Sequence, residues 1–222
     1  MGNFPPINHT AILVPNRIAL DYLFITHYHD DHFGGKHLIE EKYKDLIVKD
    51  YNDFDAGQEF EFEKTKVTIL NSYNDGDDEN TRSLSFRMEY KEFVYTHGGD
   101  IYGVNQKRIL RAYRVKKDLD TLRTHVYHAN HHFHGSVDSE YLRTIDPYLM
   151  IVSGEEHVYG RAAYTQTVQR DVLPYLKNMN KRLIEDLLHF EVGHVVVRVS
   201  DDANWSYETY KDLYALVPFL KN

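Results

Sequence analysis

The apolar positions of the chain form short runs and alternations that predict both strands and helices. Phe60 and Phe62, then Val67 and Ile69, alternate with polar residues and predict two short strands. The remaining predicted strands are 19–26, 83–90 with 92–96 as a hairpin, 125–129, 148–153 and 194–200, and the predicted helices are 36–43, 104–113, 139–144 and 164–178. Strands first, followed by strands alternating with helices, indicate an α/β or α+β protein built in layers.

The composition narrows the class of protein to a globular domain. The chain has 222 residues, of which 42% are hydrophobic, so we expect a single domain spanning residues 1–222. No apolar run is long enough to span a membrane and no secretory leader is visible, so a cytoplasmic location is expected. The chain has no cysteine, which excludes disulfides, thiolate metal sites and cysteine nucleophiles. The net charge of −8 argues against strong nonspecific binding of duplex DNA.

Histidine is the residue type that stands out. The chain has 14 histidines, and nine of them lie in the windows 27–37 and 125–134. The first window reads Thr-His-Tyr-His-Asp-Asp-His-Phe-Gly-Gly from Thr26 and follows the predicted strand 19–26. Residues two apart in an extended segment point the same way, so His27 and His29 can converge on one metal ion. If the chain then turns, Asp31 and His32 can face a neighbouring ion.

These motifs resemble a known family. The H-x-H-x-D-H pattern followed by Gly-Gly resembles the metallo-β-lactamase superfamily. Within it, residues 79–84 and 96–100 are similar to the "N-x-x-S-L…T-G-D" stretch of ComEC-type competence hydrolase domains. Residues 131–136 resemble the "H-H-G-S" motif of that group, with two residues inserted, and the likeness runs from about residue 19 to 200. The resemblance implies a four-layer αββα sandwich.

The resemblance also implies a site with two divalent metal ions. Carried over onto this sequence, His27 and His29 would hold the first ion, and Asp31 and His32 the second, with Asp100 bridging the two. Asp31 would also be the catalytic residue. Nitrogen and carboxylate ligands suit zinc, with manganese and iron as alternatives. Two adjacent cations lower the pKa of a bound water and stabilise negative charge on the attacked group, so no protein nucleophile is needed.

The second histidine cluster leaves the last ligand of the second ion open. The ligand is His131 if the two-residue insertion follows the histidine pair, and His134 if the insertion precedes Gly135; we favour His131. The residues then expected to contact substrate are His132, His134, Ser136 and Arg161. His97 is a weaker candidate for a third ligand of the first ion, and His194 is a weaker ligand candidate with no ion assigned to it.

The sequence departs from the family at two places. Only 26 residues precede His27, and residues 1–15 lack the Asp-x-Gly turn of the family, so we expect the N-terminal strands to be missing or diverged. An incomplete sheet edge would favour a homo-oligomer. Arg161 stands where the subgroup usually has histidine, and its guanidinium suits phosphate or carboxylate binding.

The leading hypothesis is a metal-dependent hydrolase that acts on a phosphodiester, in a nucleotide or a nucleic acid. One alternative is a hydrolase of esters, thioesters or lactones that uses the same metal pair. A second alternative is a catalytically inactive metal-binding protein that acts through interactions. The expected partners are a small-molecule or nucleotide substrate, nucleic acid and a second copy of the chain, with no membrane partner.

Overall fold

Strands and helices alternate along most of the chain. The computed structural model describes residues 20–73, 77–153, 170, 187–188 and 193–211. The strands are β1 (Tyr22–Phe24), β2 (Ile47–Lys49), β3 (Glu59–Phe62), β4 (Thr65–Asn71), β5 (Ser85–Tyr90), β6 (Phe93–His97), β7 (Val126–His128), β8 (Leu149–Ile151), β9 (Leu187–Leu188), β10 (His194–Val199) and β11 (Trp205–Tyr210). The α-helices are α1 (Asp30–Phe33), α2 (Lys36–Lys42), α3 (Glu79–Arg82), α4 (Gly103–Lys116) and α5 (Ser139–Ile145). Short 3₁₀ turns lie at Tyr51–Asp53, Leu119–Leu122 and Asn130–Phe133.

A seven-stranded mixed sheet forms the centre of the described structure. Its strand order is β3-β4-β5-β6-β7-β8-β9. Strands β3 to β6 are antiparallel, whereas β6 to β9 are parallel. Two smaller sheets accompany it, a parallel pair of β1 with β2 and an antiparallel hairpin of β10 with β11. The parallel half places the carboxyl ends of β6 and β7 side by side.

The central sheet is covered on both faces. Alternate residues of each strand point to opposite sides, so each face contributes side chains to a different part of the core. Leu70, Tyr127 and Met150 belong to the core formed with helices α4 and α5. On the other face, Tyr51 of the first 3₁₀ turn packs with Val67 and Ile69 of β4 and with Phe24 of β1. Residues of β6, β7 and β8 form a further cluster with the β10–β11 hairpin. This arrangement confirms the predicted mixed α/β fold.

Most predicted elements are present within one to three residues of their expected ends. The exceptions are the strands β2, β9 and β11 and the one-turn helices α1 and α3, which were not predicted. The predicted helix 164–178, the N-terminal segment 1–15 and Arg161 lie outside the described residues. Among the helices that the structure describes, none has the length and hydropathy needed to cross a membrane.

Candidate metal centre

Three segments of the chain bring the histidines and carboxylates together. The chain leaving β1 carries His27 and His29 and then forms α1, which begins at Asp30. The loop between β6 and α4 carries Asp100, and the turn after β7 carries His132. Because β6 and β7 are parallel neighbours, their following loops lie at the same sheet edge.

The first ligand group consists of His27, His29 and Asp100. Their ligand atoms all lie within 4.8 Å of one another. His27 Nε2 is 3.1 Å from His29 Nδ1 and 3.6 Å from Asp100 Oδ2. His27 and Asp100 are buried, whereas His29 is exposed, so the group is open to solvent on one side.

The second ligand group consists of Asp31, His32 and His132. His132 Nε2 is 3.2 Å from Asp31 Oδ2 and 3.4 Å from His32 Nε2. Asp100 contacts this group too, since its Oδ1 is 3.2 Å from His32 Nε2 and its Oδ2 is 3.8 Å from His132 Nε2. Asp100 therefore lies between the two groups, as the resemblance implied for a bridging ligand.

The outer nitrogen atom, Nδ1, of three of the imidazoles lies close to an oxygen atom. The Nδ1 atoms of His27 and His32 each lie 3.2 Å from the Thr26 hydroxyl, and His132 Nδ1 lies 2.8 Å from the Ser153 carbonyl oxygen. A ligand histidine commonly donates its outer N–H to such an oxygen, which fixes its tautomer. The Nε2 atoms of all three face inward, so the donor set fits a pair of divalent cations.

The charges within the centre keep its carboxylates ionised. The hydrogen bond from His132, together with the charges of His32 and His132, holds the pKa of Asp31 well below its usual range. Burial would raise the pKa of Asp100, but the hydrogen bond from His32 and the neighbouring histidines outweigh it and lower that pKa. Burial lowers the pKa of His27 to about 3, against the opposing charge of Asp100. His27 is therefore neutral, which is the form of histidine that binds a metal.

Two glycines make room for Asp100. An added Cβ on Gly98 would lie 2.6 Å from the backbone nitrogen of Asn130. Gly99 has φ of +55°, and a Cβ there would lie 2.5 Å from both the Leu84 carbonyl oxygen and Ser83 Oγ. The Asp100 N–H donates to Ser83 Oγ at 2.8 Å. The Gly-Gly-Asp sequence thus lets the loop pack against the segment after α3 and fixes Asp100 at the centre.

The second histidine cluster differs from the prediction at one position. His132, expected to contact substrate, belongs to the second ligand group, whereas His131, the favoured ligand, does not. The reason is the backbone, because His131, His132 and Phe133 all have positive φ, at 45°, 50° and 56°. This left-handed turn directs the His131 ring to Ser136 Oγ, 2.5 Å from its Nδ1, and to the Asn80 amide nitrogen, 3.4 Å from its Nε2. The geometry favours His132 as the ligand.

The remaining candidates lie around the centre. His134 is half-buried with its ring 5.6 Å from that of His131, so neither it nor Ser136 joins a ligand group. His97 Nδ1 is 2.8 Å from His128 Nδ1, and this pair is also outside both groups. His194 lies on β10, opposite Tyr210.

Sequence reasoning missed the side chains that support the ligands, chiefly Thr26, Ser83 and Asn80. Ser83 Oγ lies 3.4 Å from His27 Nδ1 and accepts the Asp100 N–H. Asn80 and Ser83 both belong to the "N-x-x-S" pattern, so that pattern could have identified them as supporting residues. Thr26 precedes the first histidine of the motif and could have been found by its position alone.

Comparisons with known proteins identify the family. The family model of the metallo-β-lactamase superfamily matches residues 12–145. A search of curated protein sequences finds no significant match. Among solved structures, the chain is similar to CmlA, a diiron β-hydroxylase from Streptomyces venezuelae, at 11% identity and a TM-score of 0.48, over 80% of this chain and 44% of CmlA.

Two further solved structures are similar over most of their length. One is a protein from Parabacteroides distasonis assigned as a metal-dependent hydrolase, at 14% identity and a TM-score of 0.49, over 78% of this chain and 77% of that one. The other is Igni18, a metallo hydrolase from Ignicoccus hospitalis, at 12% identity and a TM-score of 0.44, over 86% of this chain and 80% of that one.

The fold and its paired ligand groups define the class of protein as a metallo-hydrolase. The chain belongs to the metallo-β-lactamase superfamily, whose model matches more than half of it. Proteins with this fold bind metal ions, often two. The predicted superfamily and enzyme class are thereby confirmed, and the reaction subclass is left open.

Proposed function

We propose that this protein hydrolyses a phosphodiester at a centre of two divalent cations. The observation that carries the proposal is the position of Asp100, whose two carboxylate oxygens contact His27 of the first ligand group and His32 and His132 of the second. Such a shared carboxylate is suited to two cations held close together. A pair of cations stabilises both the attacking and the leaving oxygen of a displacement at phosphorus.

Two groups of residues would hold the two cations. His27, His29 and Asp100 would hold the first ion, and Asp31, His32 and His132 the second, with Asp100 shared. When bound, the cations supply an activated water and neutralise negative charge on the attacked group. Zinc suits these nitrogen and oxygen donors, and manganese and iron are the alternatives.

The surroundings of the centre support a phosphodiester over an acyl substrate. The wall beside His132 is polar and carries hydrogen-bonding groups of Asn80, Tyr102, His131 and Ser136. Such groups suit the oxygens of a phosphoryl group. The similarity of the "N-x-x-S-L…T-G-D" and "H-H-G-S" stretches to ComEC-type hydrolase domains supports the same substrate class. We also propose that Arg161 binds the substrate phosphate, as its charge suggests.

Hydrolysis of two chromogenic substrates tests the proposal. Protein with added zinc or manganese is assayed with bis(p-nitrophenyl) phosphate and with p-nitrophenyl acetate. We expect the phosphodiester to be cleaved with a metal requirement, and both His29→Ala and Asp100→Ala to abolish the activity. Asn204→Ala, an exposed substitution in the β10–β11 turn, is the control and should retain it.

Two other outcomes of these assays would favour the alternative functions. Metal-dependent cleavage of the acetate alone would favour the ester, thioester or lactone hydrolase. Metal bound at two equivalents with no cleavage of either substrate would favour the inactive interaction protein.

A further inference from the structure

Tyr28 lies between the two histidines of the first ligand group, and its backbone sets their direction. The chain leaves β1 in an extended conformation, and His29 has φ of −87° and ψ of 145°. Alternate side chains of an extended segment point to opposite sides, so His27 and His29 share one side and Tyr28 points to the other. A small rotation of the backbone at Tyr28 would therefore separate the two imidazoles, whose Nε2 and Nδ1 atoms are 3.1 Å apart.

Glu79 holds this backbone from a distant part of the chain. β1 ends at Phe24, so the Tyr28 N–H lies beyond the hydrogen-bonded strand pair. It donates instead to Glu79 Oε2 at 3.0 Å, across 51 positions of sequence. The Tyr28 hydroxyl donates to Asp50, which restrains the side chain in addition. Glu79 therefore fixes the main chain between the two ligand candidates.

The Glu79 carboxylate is itself held by its neighbours. The Tyr51 hydroxyl faces both oxygens, 3.2 Å from Oε1 and 3.3 Å from Oε2, and Arg82 Nη1 lies 3.1 Å from Oε1. Glu79 is the first residue of α3, and the Asp78 side chain caps this helix by accepting from the Thr81 N–H. Because its neighbours fix the direction of its carboxylate, the half-buried Glu79 can hold the ligand segment in place.

His29 depends on the main chain more than the other candidate histidines do. His27, His32 and His132 each have an oxygen near the outer Nδ1. The His29 side chain is exposed, and among the described residues its hydrogen-bond contact is with His27 alone. A ligand histidine without a supporting oxygen is placed by its backbone, so the hold on Tyr28 determines where His29 lies.

We propose that Glu79 is a positioning residue for the first cation. By accepting the Tyr28 N–H, it keeps the first ligand group converged on one ion, while the second group has supports of its own at Thr26 and Ser153. Loss of Glu79 should therefore weaken the binding of the first cation and leave that of the second unchanged. This inference rests on the two-cation centre of the proposed function and is independent of the substrate.

Zinc binding to each ligand group separately tests this role. Metal-free full-length protein is titrated with zinc in the presence of a competing chelator. His132→Ala leaves the first group complete and His29→Ala leaves the second complete, so Glu79→Ala is added to each of these backgrounds. In the His132→Ala background, we expect Glu79→Ala to weaken zinc binding about tenfold to a hundredfold, the effect typical of groups that orient a metal ligand. In the His29→Ala background, it should leave zinc binding unchanged.

Three further variants in the His132→Ala background separate the hydrogen bond from the charge of Glu79. Glu79→Gln keeps a side-chain oxygen for the Tyr28 N–H and should restore most of the zinc affinity. Arg82→Gln removes the ion pair and keeps the acceptor, and since the pair is partly exposed we expect a change of at most about fivefold. Glu61→Ala removes an exposed carboxylate on β3 and should have no effect. Thermal unfolding of the metal-free variants shows that the fold is retained.

The outcomes distinguish this role from a general structural one and from the proposed activity. Equal weakening of zinc binding in the two backgrounds, or unchanged binding in both, overturns the positioning role, as does a Glu79→Gln variant as weak as Glu79→Ala. If Glu79→Ala does not fold, hydrogen exchange of the Tyr28 amide in the zinc-loaded wild type is the test: slow exchange supports the bond to Glu79, and fast exchange overturns it. Selective weakening without phosphodiester cleavage supports the positioning role and overturns the proposed activity. A wild type that binds neither zinc nor manganese overturns both.

Discussion

At the scale of residues, the sequence motif predicted most of the side chains that meet at the candidate metal centre, but not the positions of two adjacent histidines. The four motif residues His27, His29, Asp31 and His32 follow one another in an order that reflects strand and turn geometry, and all four lie in the two ligand groups. His131 and His132 have the same side chain, and their directions depend on a left-handed turn. Non-glycine residues rarely adopt that conformation, so the sequence gives no sign of it.

The choice between these histidines can be measured directly. His132→Ala should remove about one equivalent of metal, because it takes one of three donors from the second group. His131→Ala should retain both equivalents, because its ring contacts Ser136 and Asn80 and no ligand group. Elemental analysis of the two variants checks this. Loss of metal in His131→Ala with retention in His132→Ala would restore the original assignment.

The buried pair His97 and His128 should make stability depend on pH. Burial lowers the pKa of His97 to about 4 and that of His128 well below its usual value, so both stay neutral in the folded protein. The unfolded chain takes up protons below pH about 6.5. Stability should therefore fall as the pH is lowered from about 6.5 toward 4.

Urea unfolding of the metal-free protein at a series of pH values measures this effect. The double variant His97→Gln/His128→Gln should lose about 1–3 kcal/mol less than the wild type between pH 7 and pH 4. Parallel curves for the two proteins would show that the pair does not contribute.

At the scale of elements, the parallel neighbours β6 and β7 bring their following loops together at the centre. Periodicity predicted these strands, but it did not predict β2 or β11. The three residues of β2 are too few for a pattern, and β11 alternates aromatic with polar residues in a region with many tyrosines. Pairing with β1 and β10 stabilises them, and such contacts distant in sequence are not visible in a local pattern.

The loop after β6 should tolerate no side chain at Gly99. A Cβ there would meet Ser83 and Leu84 and would also require a left-handed residue, so we expect Gly99→Ala to reduce the free energy of unfolding by about 2 kcal/mol or more and to weaken metal binding. The control is Gly103→Ala at the start of α4, where the nearest atom to an added Cβ is 4.0 Å away. Thermal unfolding compares the two, and equal stability would contradict the packing described here.

At the scale of the whole molecule, the metal centre connects parts of the chain that are distant in sequence. The candidate ligands come from the segment after β1, the loop after β6 and the turn after β7. The layered fold could be predicted because strands and helices alternate with clear periodicity. The joining of the small sheets to the central one could not, because it depends on packing of Phe24, Val195 and Trp205 against distant strands.

Removal of metal should consequently lower the stability of the whole domain. A cation that binds only the folded state stabilises it in proportion to its affinity. We expect EDTA to lower the Tm by several degrees, and added zinc to restore it. A Tm that is the same with and without chelator would mean that the cations contribute nothing to folding.

The most direct test of the two-cation centre is the metal content of the purified protein beside that of Asp100→Ala. We expect about two equivalents of zinc, manganese or iron in the wild type. We expect less than one equivalent in a folded Asp100→Ala variant, because Asp100 is shared by both ligand groups. Folded wild-type protein that binds no metal, or an Asp100→Ala variant that keeps both equivalents, would contradict a two-cation centre at these residues.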